Sequence, residues 1–250
     1  MTETGLAVLT ATAFATSVLS AVVGMAGGMT LLGVMLLFLD PLAAIPLHAV
    51  VQLVSNGSRT FYQRRHVDWS IAASFVLPLL PAGALGLALA KRLPPDATRV
   101  AIALLVLVAT WRPAWLALGG AGGRLSRRPR FLALGSAIGF LNVNVGATGV
   151  LMSPFFLGLG LGRQALIGSQ AVCQMAGHLA KIVLFGAAGF AFREHALLLA
   201  CLCAASLAGA RAGTALLEHV TDEQFAWLYR GVLTLLALQL LAESAGHLTA

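Results

Sequence analysis

Charge is the scarcest property of this chain. Only 10% of its 250 residues are charged, and Asp and Glu together number 9, whereas 59% of the residues are hydrophobic. A typical soluble domain has about 25% charged and about 45–50% apolar residues. A chain so poor in charge cannot cover a water-exposed surface, so a soluble domain and a disordered chain are both excluded. The remaining class is a multi-pass membrane protein.

Cysteines and catalytic motifs are also few. Cys173, Cys201 and Cys203 lie in apolar segments, and neither their odd number nor their spacing suits a disulfide framework or a Cys-x-x-Cys redox pair. The sequence has no His-Glu-x-x-His zinc motif and no Gly-x-Ser-x-Gly motif. It also has no basic and aromatic motif for nucleic acid. We therefore expect no enzyme activity, metal, cofactor or nucleic-acid partner, and attribute the net charge of +7 to membrane orientation.

Long apolar runs are abundant. They are separated by charged or turn residues and cover, approximately, 6–39, 42–58, 70–90, 98–118, 131–161, 164–190, 195–217 and 225–242. A bilayer span needs about 20 apolar residues. The runs 6–39 and 131–161 are too long for one span and too short for two.

Each of these two runs is interrupted near its middle. The first interruption covers Gly24 to Gly28 and the second covers Asn142 to Gly149, and clustered Gly and Asn disfavour a continuous helix. Broken apolar segments at matching positions in two halves indicate a transporter binding site. The sequence thus predicts a repeat of about 120 residues, with a first half at 1–118, a basic cytoplasmic linker at 119–130 and a second half at 131–250.

Each broken segment could be a re-entrant hairpin or one bent span. The hairpin arrangement collects more of the Lys and Arg residues on one side of the membrane, as the positive-inside rule requires, and gives each half an odd number of spans. We therefore predict an all-α polytopic membrane protein of two inverted repeats, each a broken, re-entrant segment followed by three transmembrane helices.

A polar stripe follows each interruption. With helical spacing, one face of each following helix carries four polar residues: His48, Gln52, Asn56 and Arg59 in the first half, and Gln170, Gln174, His178 and Lys181 in the second. Such residues within a membrane face a bundle interior or a cavity. The stripes either line a substrate path or form hydrogen bonds between helices. Arg59, near a helix end, is predicted to extend to the membrane surface.

The interruptions themselves favour an anion. A half-helix that starts near Gly28 or Gly149 presents free N–H groups and a partial positive charge of roughly +0.5. Asn142, Asn144 and Thr148 add side-chain donors, and glycines such as Gly24 and Gly27 let a ligand approach the backbone. Acidic residues are nearly absent from the apolar runs, which also favours an anion over a cation.

Three segments resemble the TauE/SafE sulfite exporter family. They are the glycine-rich residues 24–28, the segment 146–154 that ends in Ser153 and Pro154, and the helix start 163–169 that contains Ala165. The resemblance covers nearly the whole chain, and the motif occurs once in each half. It implies export or uptake of small anions, often sulfite or sulfonates, across the bacterial inner membrane.

We therefore predict secondary transport of a small sulfur-containing anion by alternating access. A passive anion channel and a non-transporting membrane scaffold are the alternatives. His48 or His178 could carry a coupled proton. The predicted substrate-binding residues are Gly24, Gly27, Gly28, His48, Gln52, Asn142, Asn144, Thr148, Gly149, Gln170, Gln174, His178 and Lys181.

Overall fold

The computed structural model is all-helical in the part of the chain that it describes. That part comprises residues 3–24, 26–89, 104, 107–108, 110–111, 127–145 and 149–249. Within these ranges helices and short turns occur and no strand does. The predicted all-α class is thereby confirmed.

Ten helices are defined in these ranges. They are α1 (Glu3–Val23), α2 (Ala26–Met35), α3 (Pro41–Tyr62), α4 (Trp69–Val76), α5 (Leu79–Leu89), α6 (Arg127–Val145), α7 (Gly149–Leu157), α8 (Arg163–Ala187), α9 (Ala196–Leu217) and α10 (Asp222–Thr249). A 3-10 turn, Phe192–His195, leads into α9. Of the predicted linker at 119–130, residues 127–130 form the first turn of α6, and the remainder lies outside the described residues.

Three segments in the described ranges are long and apolar enough to cross a membrane. They are Glu3–Val23, Trp69–Gly86 and Phe192–Leu217, with mean hydropathies of 2.0, 1.5 and 1.7. Helices α3 and α8 have 22 and 25 residues. Each is therefore longer than the roughly 30 Å of a hydrocarbon core, but each carries one of the polar stripes. The fold is thus that of a multi-pass membrane protein in which the two helices with polar stripes pack against one another.

Both interrupted segments double back as hairpins. Helix α1 ends at Val23, Gly24 adopts a positive φ of 91°, and α2 returns along α1. Leu39, after α2, and Leu6, near the start of α1, consequently pack against the same apolar cluster. In the second half, Phe156 near the end of α7 packs against Phe131 near the start of α6, with ring centroids 5.2 Å apart. Within the described residues each interrupted segment therefore folds back on itself.

A helix boundary lies within each predicted interruption, but four of the predicted interrupting residues are helical. Gly27 and Gly28 lie in the first turn of α2, and Asn142 and Asn144 lie in the last turns of α6. Helix α6 continues through Asn142 because the Asn142 side chain finds a tertiary partner, donating a hydrogen bond to the carbonyl of Gly177 (2.8 Å). The placement of the two asparagines within the second break was therefore wrong.

The two halves interlock through close helix contacts. Helix α1 packs along α9 of the second half, and α6 packs along α4 and α5 of the first half. Both interfaces use glycines four residues apart. A Cβ added at Gly209 or Gly213 of α9 would collide with α1 backbone, and one added at Gly135 or Gly139 of α6 would collide with backbone of the α4–α5 segment. Small residues at this spacing allow helix backbones to approach in a membrane.

Candidate binding site between the two central helices

The polar stripes of α3 and α8 face each other at the centre of the molecule. These two helices pack against one another across the boundary between the halves. His48, Gln52 and Arg59 of α3 and Gln170 and Lys181 of α8 are each at most 3% exposed, and Gln174 and His178 are half-buried. The structure therefore brings together the stripe residues that the helical spacing had singled out.

Two histidines meet at this interface, one from each half. The rings of His48 and His178 pack edge to face, with centroids 5.7 Å apart and planes inclined by 76°. The Nε2 atom of His48 lies 2.8 Å from the carbonyl oxygen of Gly28, in the first turn of α2. In the described residues, the buried Nδ1 atoms of both histidines have no hydrogen-bond partner. The pair thus joins both central helices to the first hairpin.

Arg59 does not extend to the membrane surface as predicted. Its side chain is 1% exposed, and its guanidinium donates hydrogen bonds to the carbonyl oxygens of Ser20 (2.7 Å) and Gly24 (3.0 Å). The prediction was wrong because the last turn of α3 lies against the end of α1, where the carbonyls of Ser20 and Gly24 accept hydrogen bonds from the guanidinium. A positive charge at a helix C-terminus is favoured by the helix dipole. Arg59 also donates to Asn56 and, at 3.4 Å, to Gln174.

The carbonyl of Gly24 is a hydrogen-bonding centre shared by the two halves. It accepts from Arg59 of the first half and from Nε2 of Gln174 of the second half (3.1 Å). A Cβ added at Gly24 would lie 2.8 Å from Oε1 of Gln170 and 3.0 Å from Cδ1 of Ile167, and the positive φ already disfavours any other residue. Gly24 therefore lies among polar residues of α8.

Two residues that sequence reasoning missed hold Gln170. The hydroxyl of Tyr229 on α10 donates to Oε1 of Gln170 (2.8 Å), and Nε2 of Gln170 donates to the hydroxyl of Ser153 on α7. The hydroxyl of Ser153 donates in turn to the carbonyl of Gly149 (2.6 Å). The available signal was a tyrosine in the largely apolar run 225–242. A buried tyrosine hydroxyl requires a partner.

The remaining predicted residues are distributed around this cluster. A Cβ added at Gly28 would lie 3.3 Å from Oε1 of Gln52, so Gly28 lies next to the stripe, whereas Gly27 faces Thr16 and Ser20 of α1. Gly27 therefore serves helix packing rather than the site. Asn142 is buried against α8, and Asn144 lies on the same helix. Thr148 lies outside the described residues.

The buried charge at this site is positive. Among the described residues, the charged side chains classed as buried are those of Arg59 and Lys181. Asp68 is half-buried, and the exposed carboxylates are those of Glu3, Asp40, Glu194, Glu218, Asp222 and Glu223. Carboxylates do pair with arginine at the surface. There Arg163 approaches Asp222 to 2.9 Å, and its hydrogen bonds lower the pKa of Asp222 below the ordinary value.

The sequence also matches a known family. The model of the family described as sulfite exporter TauE/SafE matches residues 9–240 of the 250. No curated protein and no solved structure matches the chain. Among the described residues, no group of three or more His, Cys, Asp or Glu side chains is placed to hold a metal ion.

Proposed function

Because the chain belongs to the TauE/SafE sulfite exporter family, we propose that it is a secondary transporter of a small sulfur-containing anion such as sulfite or a sulfonate. Transport proceeds by alternating access across the bacterial inner membrane. The protein carries out no catalysis and binds no nucleic acid. Its partners are the bilayer, the anion and a coupled proton.

The observation that carries this proposal is the burial of two basic side chains, Arg59 and Lys181, between α3 and α8. Arg59 and Lys181 are buried, and the described carboxylates lie elsewhere. Burying a charge is unfavourable unless an opposite charge or suitable dipoles offset it. The carbonyls of Ser20 and Gly24 partly offset Arg59. A bound anion would be attracted to Arg59 and Lys181, whereas a cation would be repelled by them.

The hairpins supply backbone groups for the same anion. Helices α2 and α7 begin after the two breaks and contact one another. Their N-termini present N–H groups with a partial positive charge of roughly +0.5 each. The proposed ligands are these groups near Gly28 and Gly149, with Asn142, Asn144 and Thr148 as added donors. Gln52, Gln174, His178 and Lys181 line the path.

Alternating access requires two bodies that move against each other. We assign these to two inverted repeats, each a hairpin followed by three spanning helices. The reciprocal packing of α1 on α9 and of α6 on α4 and α5 supports this assignment. The hydrogen bonds from Gln174 to Gly24 and from Arg59 to Gln174 cross between the repeats. A conformational change that separates α3 from α8 would break them.

Anion flux into proteoliposomes tests the proposal. The panel is sulfite, sulfate, ethanesulfonate, acetate and chloride, and the variants are Lys181→Ala and Leu179→Ala. Leu179 is 51% exposed on the same helix, so its variant is the matched control. We expect saturable flux of one or two anions, lowered about tenfold or more by Lys181→Ala, which corresponds to about 1.4 kcal/mol, and unchanged by Leu179→Ala.

Other outcomes would identify the alternatives. Flux that does not saturate and shows no counterflow would indicate a passive anion channel. Absence of flux for every anion, with protein shown to be folded, would indicate a non-transporting scaffold. Equal losses in both variants would show that Lys181 is not on the path.

A further inference from the structure

The tautomer of His48 follows from its hydrogen bond. Its Nε2 atom lies 2.8 Å from the carbonyl oxygen of Gly28. A carbonyl oxygen only accepts hydrogen bonds, so Nε2 must carry the hydrogen. In the neutral ring the other nitrogen, Nδ1, then has a lone pair and no hydrogen. His48 can therefore accept a proton or hydrogen bond at Nδ1, but it cannot donate from that atom unless it first gains a proton.

The Nδ1 atom of His48 has no hydrogen-bond partner among the described residues. It is buried, the residue is 1% exposed, and no described group forms a hydrogen bond with it. An unpaired polar atom in a buried position is unfavourable and calls for an explanation. Imidazole is also the side chain that most readily gains and loses a proton near neutral pH. A role as proton acceptor at the proposed anion site would explain why this atom is left unpaired.

Burial in the first place, and then the charges around His48, determine when it can hold a proton. Lys181 acts electrostatically on both histidines, and Arg59 acts on His178. The other titratable group facing His48 is the His178 ring, and no described carboxylate acts on either ring. A further positive charge is therefore repelled while the site is empty. A bound anion removes that repulsion and also provides an acceptor for the new N–H group.

We propose that Nδ1 of His48 takes up a proton when the anion binds, so that the protein carries the proton and the anion together. This inference rests on the proposed function. The proton comes from solvent and forms one N–H bond at Nδ1, and no other covalent bond changes. By linkage, the anion raises the affinity of His48 for the proton by the same factor as the proton raises the affinity for the anion. His48 packs against His178 of the other half, so the proton is held where the two halves meet.

Counting protons on anion binding tests this proposal. Purified parent protein in detergent is titrated with ethanesulfonate and with sulfite at pH 7.5, in two buffers with different ionisation enthalpies. The difference in heat gives the protons taken up per anion, and a protein-free titration corrects for sulfite's own proton equilibrium. We expect close to one proton per anion for the parent.

His48→Gln is the informative variant, with His66→Gln as its control. Glutamine can still donate to the carbonyl of Gly28 but does not titrate. His66 lies exposed in the turn after α3. We expect fewer than about 0.2 protons per anion and weaker anion binding for His48→Gln, and the parent value for His66→Gln. Thermal unfolding of each variant shows that it is folded.

The outcomes separate this inference from the proposed function. Anion binding by the parent without proton uptake would overturn the inference alone. One proton per anion in both the parent and a folded His48→Gln would also overturn it, because another group would then take up the proton. If the folded parent bound no anion, the proposed function would fail and the inference with it.

Discussion

The two kinds of interface between the halves are built in opposite ways. Helix α1 meets α9, and α6 meets α4 and α5, through glycines that bring backbones into contact. Helix α3 meets α8 through buried polar and basic side chains. The glycine interfaces are specified by shape alone, whereas the central interface is specified by hydrogen bonds and charge. The difference suggests that the outer contacts stabilise the fold and the central contacts carry the function.

The largest expected effect is a loss of stability caused by a substitution that breaks an outer interface. A leucine at Gly213 would place its Cβ against the carbonyl oxygen of Val18, which is backbone and cannot move aside. Overpacking typically costs about 1–3 kcal/mol, and we expect the free energy of unfolding to fall by about 3 kcal/mol. Thermal unfolding in detergent measures this. In Gly139→Leu the added side chain meets the backbone of Leu79, and we expect a similar loss of stability.

Gly33→Leu is the control for both substitutions. Gly33 lies on α2, and an added Cβ there would meet no atom within 4 Å. We expect its stability to stay within about 0.5 kcal/mol of the parent. Equal stability of Gly33→Leu and Gly213→Leu would contradict the assignment of the outer interface to close backbone packing.

The next largest effect is expected from a substitution at Arg59, which breaks the central interface. Replacing Arg59 by Gln removes a buried charge and takes one charged donor from each of the carbonyls of Ser20 and Gly24. Hydrogen bonds to charged groups are each worth about 1.5–3 kcal/mol, so we expect about 2 kcal/mol of lost stability together with loss of anion flux. Loss of both stability and anion flux distinguishes this variant from Gly33→Leu, which should lose neither. It also distinguishes it from those outer glycine variants that remain folded and keep their flux.

Arg64→Gln is the matched control. Arg64 is exposed and donates to the carbonyl of Phe61 within the same helix end. We expect a change below about 0.5 kcal/mol and unchanged flux. Similar behaviour of the Arg59 and Arg64 variants would mean that Arg59 extends to the membrane surface after all.

The sequence predicted what depends on local pattern. Composition alone indicated an all-helical membrane protein, and a period of 3.6 residues placed His48, Gln52 and Arg59 on one helical face. The same period grouped Gln174 and Lys181 on the partner helix. Both interrupted runs became hairpins. These features follow from properties of neighbouring residues, which a sequence displays directly.

The sequence did not predict what depends on tertiary contact. Arg59 was misplaced because its partners, Ser20 and Gly24, lie on another helix. Asn142 stayed helical because Gly177 offers it a carbonyl. Tyr229 was missed because no local pattern connects it to Gln170. In each case a side chain's role is set by a group far away in the chain.

A smaller effect tests whether hydrogen bonds across the central interface hold this conformation. Gln174→Leu removes the bond to the carbonyl of Gly24. A hydrogen bond within a membrane protein is worth about 0.6 kcal/mol on average. If that energy favours one of two alternating conformations, its loss shifts their equilibrium about threefold. We expect the anion concentration for half-maximal flux to change by about this factor, against no change in Leu179→Ala. An unchanged value in Gln174→Leu would exclude this bond as a contact specific to one conformation.

The smallest effect concerns a single hydroxyl at the edge of the central interface. Tyr229→Phe keeps the ring but removes the donor to the buried Oε1 of Gln170, at an expected cost of about 1 kcal/mol in unfolding free energy. The chain has two tyrosines, and Tyr62, which is half-buried at the end of α3, provides the same substitution as a control. Tyr62→Phe should change stability by less than about 0.5 kcal/mol. Equal losses in the two variants would mean that Ser153 alone holds Gln170, and the central interface would then end at α8 rather than extend to α10.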